Sequence, residues 1–361
     1  MSKFDTADDI TVLCYTMRLE REGVVYGWGD NWSGQLTGQV GDPHTLPSEI
    51  TAFESVTDIA TDEAASYFFN DTLVFAVGYG HSVPVKVELP PIRSIVSSSS
   101  SFAIDTSGRL LSWGDNYFGM LGRNYEGEKD NTPQLVDTLQ GLKIKQVSSG
   151  CYHACCVTTD GEVFTWGHKS YVGQGVLDSD IEVPKKLEIE KISQISCGLV
   201  HTLLLSADQK NVWAFGVNHD TKLGLENWTE RWETDSLERS PVKVPILGEK
   251  VIVKLECGGK DSAILYADGE IRVWGETWGQ SSPRTFDIGK VVDISMGWRF
   301  MLALTVENRL YAFGRNDLGQ CGQGHTDRFI EQPVEVKNLH NLHIKQISTG
   351  DAHCLIKCAK L

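Results

Sequence analysis

Along most of the chain, apolar side chains recur at every second position in short runs bounded by Gly, Pro, Asn and Asp. That is the pattern of half-buried strands joined by tight turns. No useful length of sequence carries the 3.6-residue apolar stripe of an amphipathic helix. The runs repeat in a fixed order, punctuated by a Trp-Gly or Phe-Gly step. Copies are Val25-Tyr26-Gly27-Trp28-Gly29, Leu110-Leu111-Ser112-Trp113-Gly114, Val163-Phe164-Thr165-Trp166-Gly167, Val212-Trp213-Ala214-Phe215-Gly216, Ile271-Arg272-Val273-Trp274-Gly275 and Leu310-Tyr311-Ala312-Phe313-Gly314. A degenerate seventh, Leu73-Val74-Phe75-Ala76-Val77-Gly78, fills the gap after the first. The closing glycines are about 48 residues apart on average, the period of propeller blades.

Each unit also holds a turn with Gly-Gln or Leu-Gly character and then a Pro-led strand such as Pro133-Gln134-Leu135-Val136. An alternating strand follows, ending in a Gly-x-x-His step at Gly150–His153, Gly198–His201 and Gly350–His353. About four strands per unit, none able to bury both faces alone, predict an all-β, seven-bladed propeller of four-stranded antiparallel blades. The ring is expected over 25–361, with repeats starting near 25, 73, 110, 163, 212, 271 and 310. Residues 1–24 are expected to supply an extra or ring-closing strand around Tyr15–Leu19.

At 361 residues and 41% hydrophobic, the chain can bury a large core. Its net charge of −15 argues against nucleic acid as the main ligand, since that affinity is built from Lys and Arg. No apolar run approaches a membrane span, and the start Met1–Asp9 has neither the basic head nor the apolar stretch of a signal peptide. Nine cysteines sit mostly inside apolar runs without Cys-x-x-Cys spacing, which reads as reduced core thiols rather than disulfides or a zinc site. The acceptor triplet at Asn227 is then unused. A cytoplasmic or nuclear address is expected, with Ala359-Lys360-Leu361 resembling a peroxisomal signal.

No Trp is followed by Asp, and Gly258-Gly259 is the sole Gly-Gly pair, which argues against WD and kelch repeats. By contrast, Trp28-Gly29-Asp30-Asn31 with Gly34-Gln35-Leu36, and Cys197-Gly198-Leu199-Val200-His201-Thr202-Leu203, strongly resemble the regulator of chromosome condensation repeat. The resemblance covers about residues 25–356. It implies the seven-bladed ring and leaves function to sites grafted on it.

His153, His201 and His353 share one repeat position with Asp261, Phe300 and Ser100, so they read as groups tying their own blade turns together. The Asp/Asn pairs after Trp-Gly read as turn formers. Most tryptophans belong to blade cores; Trp228, Trp232, Trp278 and Trp298 fall outside the repeated slot. The longest spacing contains Glu226–Arg239, where Trp228, Arg231 and Trp232 stand among carboxylates and suit either a partner anchor or two tryptophans folded back onto the blade edge. Gly297-Trp298-Arg299-Phe300 is similar to segments of the plant ultraviolet photoreceptors of this family. Those have several copies and a His where Phe300 stands, so a channel-mouth cation–π pair of Trp298 and Arg299 is expected instead. Trp228, Arg231, Trp232, Trp278, Trp298, Arg299 and Asp261 are thus the candidate partner-binding residues.

Phosphate-loop, dinucleotide, nucleophile-elbow and metalloprotease motifs are all missing from the sequence, so no covalent chemistry, cofactor or metal is expected. The first expectation is a monomeric, non-enzymatic interaction module. Its acidic and aromatic loops would meet a protein partner, a basic one if charge steers the encounter. The second, implied by the resemblance, is guanine-nucleotide exchange on a Ran-like small GTPase. The chromatin binding of the founding type goes with a basic tail, whereas Asp5, Asp8 and Asp9 make this N-terminus acidic.

Overall fold

The computed structural model describes residues 23–37, 40–53, 56–62, 65–78, 81–225, 237–245 and 250–359. It begins with β1 (Val24–Gly29) and β2 (His44–Ile50). Blade I is β3 (Asp58–Thr61), β4 (Ala65–Phe69), β5 (Val74–Gly78) and β6 (His81–Lys86). Blade II is β7 (Ile92–Ser97), β8 (Ser100–Asp105), β9 (Leu110–Asp115) and β10 (Lys129–Leu135). Blade III is β11 (Ile144–Ser149), β12 (His153–Thr158), β13 (Val163–Gly167) and β14 (Ile181–Leu187). Blade IV is β15 (Ile192–Cys197), β16 (His201–Ser206), β17 (Val212–Val217) and β18 (Leu237–Lys243). Blade V is β19 (Ile252–Cys257), β20 (Asp261–Tyr266), β21 (Ile271–Gly275) and β22 (Gly279–Thr285). Blade VI is β23 (Val291–Met296), β24 (Phe300–Thr305), β25 (Leu310–Arg315) and β26 (Phe329–Glu335).

Blade VII joins the first and last described strands. Its sheet order is β2-β1-β28-β27, with β27 (His343–Thr349) inside and β1 paired antiparallel to β28 (His353–Ala359) from Val24↔Cys358 to Gly29↔His353. All seven sheets are four-stranded, and each blade packs its inner strand on the next round to β27 against β3. The Trp-Gly strand is therefore the third strand of every blade. The spare strand expected around Tyr15–Leu19 lies outside the described residues.

The second strands of blades I to VI, such as His201–Ser206 and Phe300–Thr305, are buried at every position, because both their faces meet a neighbouring blade. The core accordingly sits between blades: one cluster joins Leu203 and Ile264, another Cys155 and Leu204. The repeated tryptophan latches these layers. Trp166 Nε1 donates to Met120 O at 2.8 Å, Trp274 Nε1 to Lys222 O at 3.0 Å, and Trp28 Nε1 to Gln320 O at 2.9 Å, each reaching the preceding blade. The Asn after Trp-Gly caps its own turn as expected; Asn31 Oδ1, for instance, accepts from Leu36 N at 3.0 Å.

Candidate functional site: the channel mouth

Inner strands converge at one end of the ring, where Gly150, Gly198, Gly258, Gly297 and Gly350 turn the chain away from the axis. Glycine is required by close approach: a Cβ on Gly198 would stand 2.5 Å from Gly258 O of the next blade. At the equivalent place in blade II, Ser98 uses its hydroxyl to reach that neighbour, donating to Gly150 O at 2.9 Å. One residue further on, backbone bonds pass from blade to blade: Cys151 N to Leu199 O at 3.2 Å, Leu199 N to Gly259 O at 3.3 Å, Trp298 N to Asp351 O at 3.0 Å and Asp351 N to Asp62 O at 3.3 Å. The mouth they enclose holds about 120 Å³, against roughly 300–1,000 Å³ for ordinary ligand pockets. It is too narrow for a nucleotide-sized guest.

The blade histidines act differently from the sequence expectation. Instead of tying their own turns, they bond across to the second strand of the next blade. His153 Nε2 meets Thr202 Oγ1 at 2.7 Å, His201 Nε2 meets Ser262 Oγ at 3.0 Å, and His353 Nε2 meets Ser66 Oγ at 3.0 Å. All three are fully buried, and burial lowers the pKa to about 3 for His153 and about 4 for His353, so the rings are neutral. The shared partner position is legible only once the blades are in contact.

Asp261 occupies the histidine position of blade V and is fully buried. It accepts from Thr277 N at 2.8 Å and from Thr277 Oγ1 at 2.6 Å. Burial raises its pKa to about 6, against the pull of those bonds and of Arg299. Arg299 comes from blade VI with a left-handed backbone, φ 64°, strained for a long side chain such as arginine. Its guanidinium donates to Thr277 Oγ1 at 3.3 Å and lies 3.5 Å from Glu276 Oε1. Lys260 Nζ takes the other oxygen of Glu276 at 2.6 Å. Burial works against ionisation of Glu276, but Lys260, Arg299 and Lys222 outweigh it and hold the carboxyl below its usual range. Lys222 is 4% exposed, and burial pushes its ammonium below the usual lysine range despite Asp220, Glu276 and Asp261 nearby.

Trp298 is half-buried beside this cluster, its ring laid over Gly259 of blade V, where a Cβ would stand 2.9 Å from it. The expected Trp298–Arg299 cation–π pair does not form. The left-handed turn at Arg299 sends the guanidinium to blade V, and the described cation–π contacts lie elsewhere, as between Arg272 and Tyr266. Trp278 is 1% exposed and packs against Phe313 and Phe286, centroids 5.0 and 6.2 Å away, so it is core and offers a partner no surface. Trp228, Arg231 and Trp232 lie outside the described residues. Asp261, Trp298 and Arg299 therefore come together, while Lys222, Lys260, Glu276 and Thr277 were missed. Each of these is a single residue at a blade junction with no motif of its own.

The RCC1-like domain profile matches residues 90–360. The chain belongs to the RCC1-like domain family. The Ultraviolet-B receptor UVR8 of Arabidopsis thaliana is 28% identical over 367 residues, 91% of this chain and 81% of that protein. The E3 ubiquitin-protein ligase HERC2 of Homo sapiens is 28% identical over 381 residues, and this RCC1-like chain spans only 8% of its length. Prp20p from Saccharomyces cerevisiae, whose structure was described with its binding properties to Gsp1p and histones, superposes with a TM-score of 0.82 at 17% identity, over 100% of this chain and 96% of that one. At that identity the likeness shows the fold. The family and its seven-bladed ring thus stand as the sequence predicted.

Proposed function

We propose that this RCC1-like ring is a non-enzymatic interaction module that holds a protein partner on its channel-mouth face. The observation that carries the reading is the cluster of Lys222, Lys260, Asp261, Glu276 and Arg299 beside Trp298. It gathers charge from three blades around a mouth too small for a nucleotide-sized guest, and it includes a strained Arg and a half-buried Trp, the residue types that dominate hot spots. Quantitative recovery of partners from cell extract tests it: Arg299→Ala and Trp298→Ala should lose proteins that the wild type retains. Equal recovery by both variants would remove this cluster from the reading.

A second reading is nucleotide exchange on a Ran-like small GTPase, supported by the likeness to Prp20p, whose structure was described with its binding to Gsp1p. It needs no reactive side chain, only tighter binding of the nucleotide-free GTPase. Release of fluorescent nucleotide from a panel of small GTPases decides it: acceleration at micromolar protein is the expected result, and none for any member eliminates exchange on that panel.

A further inference from the structure

The mouth-side loops of blades II and III carry a second feature, away from Asp261. Tyr117 and Phe118 follow β9, Tyr152 precedes β12, and His168 and Tyr171 follow β13. The Phe118 ring meets His168 edge-on at 4.8 Å and Tyr152 at 5.7 Å, and His168 lies 4.9 Å from Tyr171. These rings touch one another yet stay wet: Tyr117, Phe118 and Tyr152 keep 55%, 41% and 41% of their surface exposed. Phe118 also has left-handed backbone, φ 59° and ψ 22°. At the matching place in blade IV stands Asp220, φ 62°, a residue type that tolerates this region. Neither burial nor turn geometry accounts for a phenyl ring here, and strain kept at an exposed aromatic points to use.

The surrounding charge states what the platform would accept. Segments 115–130 and 168–182 hold seven carboxylates and three Lys or Arg. Each of those bases is engaged: Arg123 with Asp130 at 3.0 Å, Lys129 with Asp115 at 2.9 Å, and Lys169 with the Asp178 carbonyl at 2.9 Å. Asn116 Nδ2 donates to Tyr125 O and Gly127 O, both at 2.9 Å, which folds exposed Glu126 and Glu128 back against the Phe118 turn. Exposed Glu182 packs on Gly119 from the other side.

We infer that the Phe118–Tyr152–His168–Tyr171 platform docks an arginine-bearing basic segment of a protein partner, with a guanidinium stacked on the rings and Glu126, Glu128 and Glu182 meeting the flanking charge. The inference rests on the reading that this face holds a protein. Fluorescence anisotropy of the full chain with a labelled Gly-Ser-Arg repeat peptide, and with its Lys and Glu counterparts, tests it. The arginine peptide should bind, the lysine peptide more weakly, and the glutamate peptide not at all. Phe118→Gly keeps or raises the melting temperature, because glycine suits the left-handed turn, and should weaken the arginine peptide about tenfold. Lys210→Ala, on the β16–β17 turn at the other end of the ring, should leave it unchanged. No saturable binding of the arginine peptide, equal binding of the lysine or glutamate peptide, or undiminished binding by Phe118→Gly would each overturn the inference. If the peptide fails while Arg299→Ala still costs the protein its partners, the platform is refuted and the proposed function stands. If the peptide binds but no partner depends on Arg299 or Trp298, the mouth cluster alone falls.

Discussion

His353 is fully buried, and the pKa that burial depresses makes stability depend on acid. Its folded pKa of about 4 lies below the unfolded value of about 6.5, so the unfolded chain binds more protons between those limits. Stability is then fully present above about pH 6.5 and is lost as pH falls toward 4, by on the order of 3 kcal/mol for this group. His353→Phe, which installs the residue found at the same position in blade VI, should flatten the fall in chemical-denaturation stability from pH 7 to 5. Asp261 carries the opposite sign. Its folded pKa of about 6 exceeds the unfolded value of about 3.9, so it favours the folded state in acid and weighs against it as pH rises through that window. Asp261→Asn should therefore gain stability relative to wild type between pH 5 and 7.5 in the same assay. The sequence placed His and Asp261 in one repeat slot correctly. It could not reveal their bonds, because the partners lie 49, 61 and 287 residues away for His153, His201 and His353. Arg299 failed as a neighbour of Trp298 for a related reason: the backbone angle that turns it to Glu276 leaves no mark in the Gly-Trp-Arg-Phe string.

At the scale of the strand, the Trp-Gly step was readable because every copy closes the same third strand, and the structure adds that its indole latches the preceding blade. Trp166→Phe should fit without clash, since Phe215 fills that slot in blade IV. It strands the Met120 carbonyl, so a loss of about 1–2 kcal/mol in urea unfolding is expected. Gly198→Ala should cost more than about 2 kcal/mol, because its methyl must displace both the fully buried His201 ring and the Gly258 carbonyl of blade V. Trp278, by contrast, could not be told from a surface anchor. One ring that buries it, Phe313, belongs to the Phe-Gly step of blade VI, and the other, Phe286, follows β22 outside any repeated step, so the contact between them shows only once blades V and VI are in place.

For the whole molecule, repeat counting predicted seven blades but not where the ring is cut. The first described strand, β1, is the third strand of a blade whose inner pair is β27 and β28, so among the described residues closure rests on β1 against β28. Removing residues before His44 would expose the β28 edge, buried at five of its seven positions, and open the torus. A melting temperature unchanged by that deletion would contradict the closure. The acidic net charge and small mouth pointed to surface recognition, whereas the aromatic platform of blades II and III escaped notice because its rings come from three separate turns.

The most direct test of the account is the recovery of partners by wild-type protein, by Arg299→Ala on the mouth face, and by Lys210→Ala on the β16–β17 turn at the other end of the ring. The account predicts at least one protein retained equally by wild type and Lys210→Ala and lost with Arg299→Ala. Retention indifferent to Arg299, or lost instead with Lys210, would contradict it.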